Sequence, residues 1–208
     1  MIPVATTQPS KTTAAHLPYR VVVIAASAGG LPAIGQVLSQ LPADFPVPIA
    51  IVQHLSATYP SVMAELLGRH TPLRVQWAEA GDVLEAGTVY IASRGLHLTV
   101  GEDGVLALPD TEKVRSCRPS ADVLFNSAAA SFGPRAIGVV LSGTGFDGGD
   151  GAGAVQRAGG SVIAQDELTS QFFAMPHAAI VATTLRRVLP LRQIAPALVA
   201  LATRGALS

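Results

Sequence analysis

Short β-branched runs alternating with longer stretches of helical period constrain this chain more than any other feature. The runs are YRVVVIAA (19–26), VPIAIVQH (47–54), LRVQWAE (73–79), AIGVVLSG (136–143) and SVIAQD (161–166). Segments of helical period begin near Leu31, Pro60, Ser120, Gly149 and Pro176, and a last one crosses LRQIAPALVALATR (191–204). Such alternation is the mark of βα units building a mostly parallel sheet. Residues 86–109 break the pattern: strand-like segments are joined by GEDG, whose Gly and Asp favour a tight reversal, so an inserted antiparallel hairpin is expected there.

Composition narrows the function classes. With 208 residues, 49% of them hydrophobic, the chain can bury one sizeable core. Lys plus Arg and Asp plus Glu each total 14, a balance that draws the protein to neither nucleic acid nor an anionic membrane. Cys117 is the single cysteine, which excludes an internal disulfide, tells against a Cys-based zinc site and suits a reducing cytoplasm. No apolar run reaches the roughly 18 residues that span a bilayer, so no membrane insertion is expected. Residues 1–18, rich in Thr, Ala and Pro, lack the pattern of a secretory signal and read as a loose arm before one domain at 19–208.

In an open parallel sheet, ligands gather beyond the carboxyl ends of the strands. Ser27 stands there, in the turn after VVVIAA, followed by Ala28, Gly29 and Gly30. The glycines permit close approach, and free N–H groups at the next helix start suit developing negative charge. Ser27 reads either as a nucleophile or as a cap of the helix near Leu31. G-x-G-x-x-G spacing is missing, so a dinucleotide loop is disfavoured. The second strand ends in His54, an imidazole suited to accept a serine proton near pH 7 or to sit buried on backbone partners. AIGVVLSG runs into the glycine-rich loop TGFDGGDG, which carries Asp147 and Asp150 without the ligand spacing of a calcium loop. Three strand ends thus deliver Ser27, His54 and Asp147, the set needed for nucleophile, base and orienting acid. Their chain order and the absence of G-x-S-x-G disfavour an α/β-hydrolase.

Together IAASAGG, VQHL, EAGDVLEAGTVYIASRGLHL, RPSADVLFNSAA, GVVLSGTGFDGGDG, AGGSVIAQDELTS and AMPHAAI, in this order, resemble the catalytic domain of the chemotaxis-receptor protein-glutamate methylesterases, the CheB family. The resemblance runs from Val21 to about Leu189. It implies a doubly wound α/β fold with helices on both faces and an antiparallel hairpin. Ser27 would be the nucleophile, His54 the base and Asp147 the orienting acid, with no cofactor and no metal. Ala28, Gly29, Gly30, Thr144, Gly145 and Met175 would form the substrate and oxyanion pocket. The implied partner is a methylated receptor or another protein substrate, and some family members also deamidate receptor glutamine.

Departures from the family pattern are Ala28 in place of the usual Thr, Thr144 in place of Met, Ala174 in place of Gly, and Cys117 where His is frequent. Family members usually carry a receiver domain ahead of the esterase, and the residues before the first strand here leave no room for one, so the chain reads as an excised catalytic domain or a stand-alone member, the second being expected from the MIPVATTQPS start. Alternative readings are a receptor- or signal-binding module that has lost catalysis, and a serine hydrolase for another ester or amide. Lesser expectations are a structural His97, surface positions for His70 and His177, Arg69 and Arg118 at helix ends or facing an acidic receptor helix, an incidental Cys117, and Met175 and Pro176 in the pocket wall.

Overall fold

The computed structural model describes residues 21–54, 62–184 and 187–203. The arm expected at 1–18 and the helix start expected at Pro60 lie outside these residues. Seven parallel strands make the main sheet: β1 (Val21–Ala26), β2 (Ile49–Gln53), β3 (Arg74–Trp77), β4 (Thr88–Ile91), β7 (Ala136–Val140), β8 (Ser161–Gln165) and β9 (Val188–Leu189). Their order is β3-β4-β2-β1-β7-β8-β9. The small strands β5 (Thr99–Val100) and β6 (Leu106–Ala107) form a separate antiparallel pair.

Every residue of β1 is buried, and its side chains divide by strand period. Val22, Ile24 and Ala26 enter one core with Ile34, Leu38 and Leu198, while Val21, Val23 and Ala25 enter the other with Leu124, Phe125 and Val155. The first core lies under α1 (Gly30–Ser39), α2 (Met63–Gly68) and α6 (Leu191–Thr203); the second lies under α3 (Ala121–Phe132), α4 (Gly149–Arg157) and α5 (Ala174–Val181). Burial on both faces is why β1 is apolar throughout.

Two segments depart from the sequence expectation. TVYI, placed in the hairpin, is instead the parallel strand β4 between β2 and β3. Its four residues are all buried, the requirement of an interior strand, and the hairpin shrinks to β5 and β6 around GEDG. β9, too short to show a period, pairs with β8 at the sheet edge.

The chain winds away from β1 in both directions, toward β2 on one side and β7 on the other, so the switch in strand order falls at β1. Register brings Ala26 opposite Gln53 and Ala25 opposite Val140, which aligns three carboxyl ends around one crevice.

Candidate functional site

The sheet's hydrogen bonding continues one step past the strands and fixes the backbone of the site. The Leu141 N–H donates to Ala25 O at 2.9 Å, the Ser27 N–H to Ser142 O at 3.0 Å, and the His54 N–H to Ala26 O at 3.0 Å. Gln53 ties the two strand ends together, its Nε2 donating to Ser27 O at 2.8 Å and His54 O at 3.0 Å. The turn into α1 passes through Gly29 at φ 71°, where a Cβ would lie 2.6 Å from Gln171 Oε1 and 2.8 Å from Ser142 Oγ. Gly29 is also the N-cap residue of α1, so capping is not the role of Ser27. At Gly30 a Cβ would stand 2.4 Å from Gln53 Oε1.

Gly143 is held as tightly from the β7 side. A Cβ there would meet Met175 Sδ at 2.2 Å and the Ser27 Cβ at 2.9 Å. Its N–H donates to Phe172 O and its carbonyl accepts the Met175 N–H, so Gly143 is wedged between α5 and Ser27.

Asp147 is 3% exposed and saturated with donors. Oδ2 accepts from His54 Nε2 at 2.8 Å and from the Ala121 N–H at 2.6 Å. Oδ1 accepts from Ser120 Oγ at 2.7 Å and the Asp122 N–H at 3.1 Å. The carboxylate therefore caps α3 from another element and faces the positive end of its dipole. Burial alone pushes its pKa upward, but the hydrogen bonds from His54, Ser120 and the two backbone amides outweigh it and hold the carboxyl below its ordinary range.

Asp122 returns the arrangement, its Oδ1 accepting the Gly148 and Gly151 N–H groups at 2.9 and 2.8 Å where α4 begins. Asp147, just before α4, thus caps α3, and Asp122, in the first turn of α3, caps α4. Burial drives the Asp122 pKa up to about 6, opposed by the Gly151 N–H, reinforced by the Asp147 charge and opposed again by Arg115. Arg115 Nε lies 3.2 Å from Asp122 Oδ2, near enough for an ion pair, yet that oxygen has no hydrogen-bond partner of good geometry.

Ser27 and His54 open onto a cleft of about 470 Å³ that Thr144 also lines. Arg94, Lys113 and Arg118 give its wall a cationic character. Ala28 is half-buried, its carbonyl accepting from Ser142 Oγ at 2.8 Å, while Thr144 and Gly145 are both exposed. Met175 corrects an expectation: it is wholly buried behind Gly143 rather than lining the cleft, because the wedge at Gly143 consumes its side chain.

The remaining singled-out residues are also placed. His97 is fully buried, its Nδ1 accepting the Ser120 N–H at 3.1 Å and its Nε2 donating to Glu112 O at 2.9 Å. Both ring nitrogens are engaged, and the ring holds the residue that donates to Asp147. His70 and His177 are exposed, and Arg69 pairs with Glu65 one helical turn away. Arg118 donates to Asp110 and to Thr111 O. Cys117 is the larger correction. Expected to be incidental, it lines the cleft, where its sulfur and ligand atoms of His54 and Asp147 lie within 4.8 Å of one another. No local pattern betrays this, since a hairpin-like turn at 114–117 carries it in. Burial, then the charges of Asp147 and Asp122, raise its thiol pKa.

Gln53, Ser120 and Gly143 also shape the site without standing out in the sequence as chemistry-bearing residues. Two signals exist: Gln53 is a lone amide in an otherwise apolar buried strand, and Ser120 is a helix N-cap residue with an acid two places on.

The family described as CheB methylesterase matches residues 22–198. The protein-glutamate methylesterase FrzG of Myxococcus xanthus is 46% identical over 181 residues, 87% of this chain and 54% of that protein. The protein-glutamate methylesterase/protein-glutamine glutaminase 2 of Anaeromyxobacter dehalogenans (strain 2CP-C) is 47% identical over 178 residues, 86% of this chain and 52% of that protein. The chain spans about half the length of these curated relatives. The crystal structure of the Thermotoga maritima CheB methylesterase catalytic domain matches with a TM-score of 0.83 at 34% identity, covering 88% of this chain and 98% of that one.

Proposed function

The chain belongs to the CheB methylesterase family, and from that premise we propose that it hydrolyses glutamate γ-methyl esters on a partner protein, releasing methanol. The observation that carries this reading is the bond from His54 Nε2 to the buried, donor-saturated Asp147, in a cleft shared with Ser27. An ionised Asp147 accepts only, so it keeps the proton on Nε2 and leaves the Nδ1 lone pair as the base.

Ser27 Oγ attacks the ester carbonyl as Nδ1 takes its proton. The imidazolium, stabilised by Asp147, returns that proton to the departing methoxide, and methanol leaves. Water activated by the same nitrogen then cleaves the acyl-enzyme to the γ-carboxylate. The Ser27, Gly30 and Gly143 N–H groups are committed to backbone carbonyls. That leaves the Ala28, Gly29 and Thr144 amides as the candidate oxyanion donors, a role that survives side-chain change at Ala28 and Thr144. The cationic wall of Arg94, Lys113 and Arg118 suits a substrate segment bearing free carboxylates.

The substrate we infer is a methylated chemotaxis-type receptor met in the cytoplasm. Among the described residues no helix is long and apolar enough to cross a membrane. Deamidation of glutamine is a second reading, favoured by the glutaminase activity named for a relative; it uses the same tetrahedral chemistry with a poorer leaving group.

The test is methanol release from membranes bearing methylated receptors, with wild type and Ser27→Ala in parallel. Loss of about 10^6-fold in kcat is expected for the variant. Near-normal turnover by Ser27→Ala rejects the mechanism, and receptor binding by wild type without methanol release identifies a binding module instead.

A further inference from the structure

We propose that the cleft is also a site for a thiophilic divalent cation, with Zn2+ as the type ion, held by Cys117, His54 and Asp147 and blocking turnover while it is bound. The blocking half rests on the esterase reading above; the binding half does not.

Three donors of three kinds converge here from three segments: a sulfur from the 114–117 turn, an imidazole nitrogen from the end of β2, and a carboxylate oxygen from the loop after β7. The turn that presents Cys117 is defined, with Arg115 and Ser116 at φ 50° and 64° and reciprocal backbone bonds between Val114 and Cys117 of 3.1 and 2.8 Å. Asp147 is oriented by Ser120 and by the Ala121 and Asp122 amides, the kind of outer support that ligating carboxylates need.

Thiolate, imidazole and carboxylate are the ligands of tetrahedral zinc, at about 2.3, 2.0 and 2.1 Å. Around one such ion, neighbouring donor atoms stand roughly 3.3 to 3.7 Å apart. The three atoms already lie within 4.8 Å, so closure takes a shift on the order of an ångström. His54 and Cys117 are both partly exposed and line the cleft.

Binding replaces the thiol proton, which passes to solvent, and substitutes metal for the His54 to Asp147 hydrogen bond. Whichever imidazole nitrogen takes the metal, the ring can no longer donate to Asp147 and accept from Ser27 together. Soft and borderline ions are selected by the thiolate, and Mg2+ and Ca2+ are not. Arg94, Lys113 and Arg118 on the cleft wall oppose a cation, which makes this a reversible inhibitory site rather than one with a permanent resident.

Cys117 is the chain's single cysteine, so a thiolate signal has one source. Cobalt(II) is added to the intact chain, and the near-ultraviolet thiolate-to-cobalt absorption is followed in wild type, Ser27→Ala and Cys117→Ser. The band is expected in the first two, lost in the third, and lost from wild type alkylated at Cys117. In parallel, hydrolysis of a model ester is measured with Zn2+, with Mg2+ and after chelation, each protein against its own metal-free rate. Zn2+ is expected to slow wild type at least tenfold, reversibly, and Cys117→Ser at least tenfold less sensitively. Absence of the band in wild type and Ser27→Ala overturns the site, even if the esterase is active. A band without loss of turnover overturns the inhibitory role, as does equal zinc sensitivity in Cys117→Ser. If wild type shows no esterase activity, the cobalt band still decides the site.

Discussion

Replacing Gly143 with alanine drives one methyl group into a space that is already filled from both sides. The new Cβ meets Met175 Sδ at 2.2 Å and Cγ at 3.0 Å, and the Ser27 Cβ at 2.9 Å. Met175 is flexible in principle but wholly buried, and Ser27 is fixed by its N–H bond to Ser142 O, so neither yields freely. Overpacking of this kind costs about 1–3 kcal/mol, which in a domain of this size lowers Tm by roughly 4–8 °C for 2 kcal/mol. Ser27 is pushed along with its turn, and a displacement on the order of 1 Å at a reacting atom costs about 10²-fold in rate. Thermal melts and ester hydrolysis separate the two effects. In Gly143→Ala/Met175→Ala the sulfur clash is gone, so the stability loss is smaller than the sum of the single losses. The contact with Ser27 remains in that double variant, so kcat stays depressed. A Gly143→Ala protein with unchanged melting and turnover within about twofold of wild type refutes the wedge.

Asp147→Asn is expected to lower kcat by about 10⁴-fold, because an amide no longer fixes the imidazole proton on Nε2; single-turnover kinetics with correct folding by circular dichroism checks it. His97→Ala should melt earlier by an amount equivalent to about 3 kcal/mol, from the cavity and the orphaned Ser120 N–H and Glu112 carbonyl. An unchanged melt with abolished turnover would instead make His97 a proton-transfer group. Thr144→Met should change kcat/KM by less than about tenfold if a backbone N–H serves the oxyanion, since losing one donor costs about 10²–10³. The two buried aspartates act on stability in opposite pH windows. Asp122, raised from 3.8 to about 6, is more easily protonated folded than unfolded, so its contribution falls by about 3 kcal/mol as pH rises across that interval. Asp147, lowered, contributes stability above the ordinary carboxylate pKa that is lost as pH falls below it. Urea unfolding should therefore show wild type losing stability from pH 4 to 6, and Asp122→Asn losing less.

The strands that lead to Ser27 and His54 are legible because burial on both faces demands largely apolar runs, and α1, α3 and α4 follow because glycine or serine marks their starts. Which side of the sheet a short apolar run joins is not local information. TVYI has the composition of either a hairpin or an interior strand, and only its neighbours β2 and β3 decide. The same limit holds at the site. That a serine, a histidine and an aspartate stand at strand ends is a local pattern. That Ser120 and two α3 amides hold Asp147, 25 to 27 positions away, is a product of tertiary packing. Gly143 reads as one more loop glycine until Met175 and Ser27 are brought against it. Cys117 misleads for a related reason: its turn lies on no strand end, and the cleft comes to it only when the 114–117 segment folds over the sheet's carboxyl edge.

The central claim is that Ser27, His54 and Asp147 work as one unit on an acyl group. Its most direct test is covalent trapping: wild type, Ser27→Ala and His54→Ala are treated with a fluorophosphonate, and the rate and position of the adduct are read by peptide mass spectrometry. A single adduct on Ser27, absent in Ser27→Ala and slowed by several orders of magnitude in His54→Ala, is the outcome expected. Labelling at another residue, or at Ser27 with a rate indifferent to His54, contradicts it.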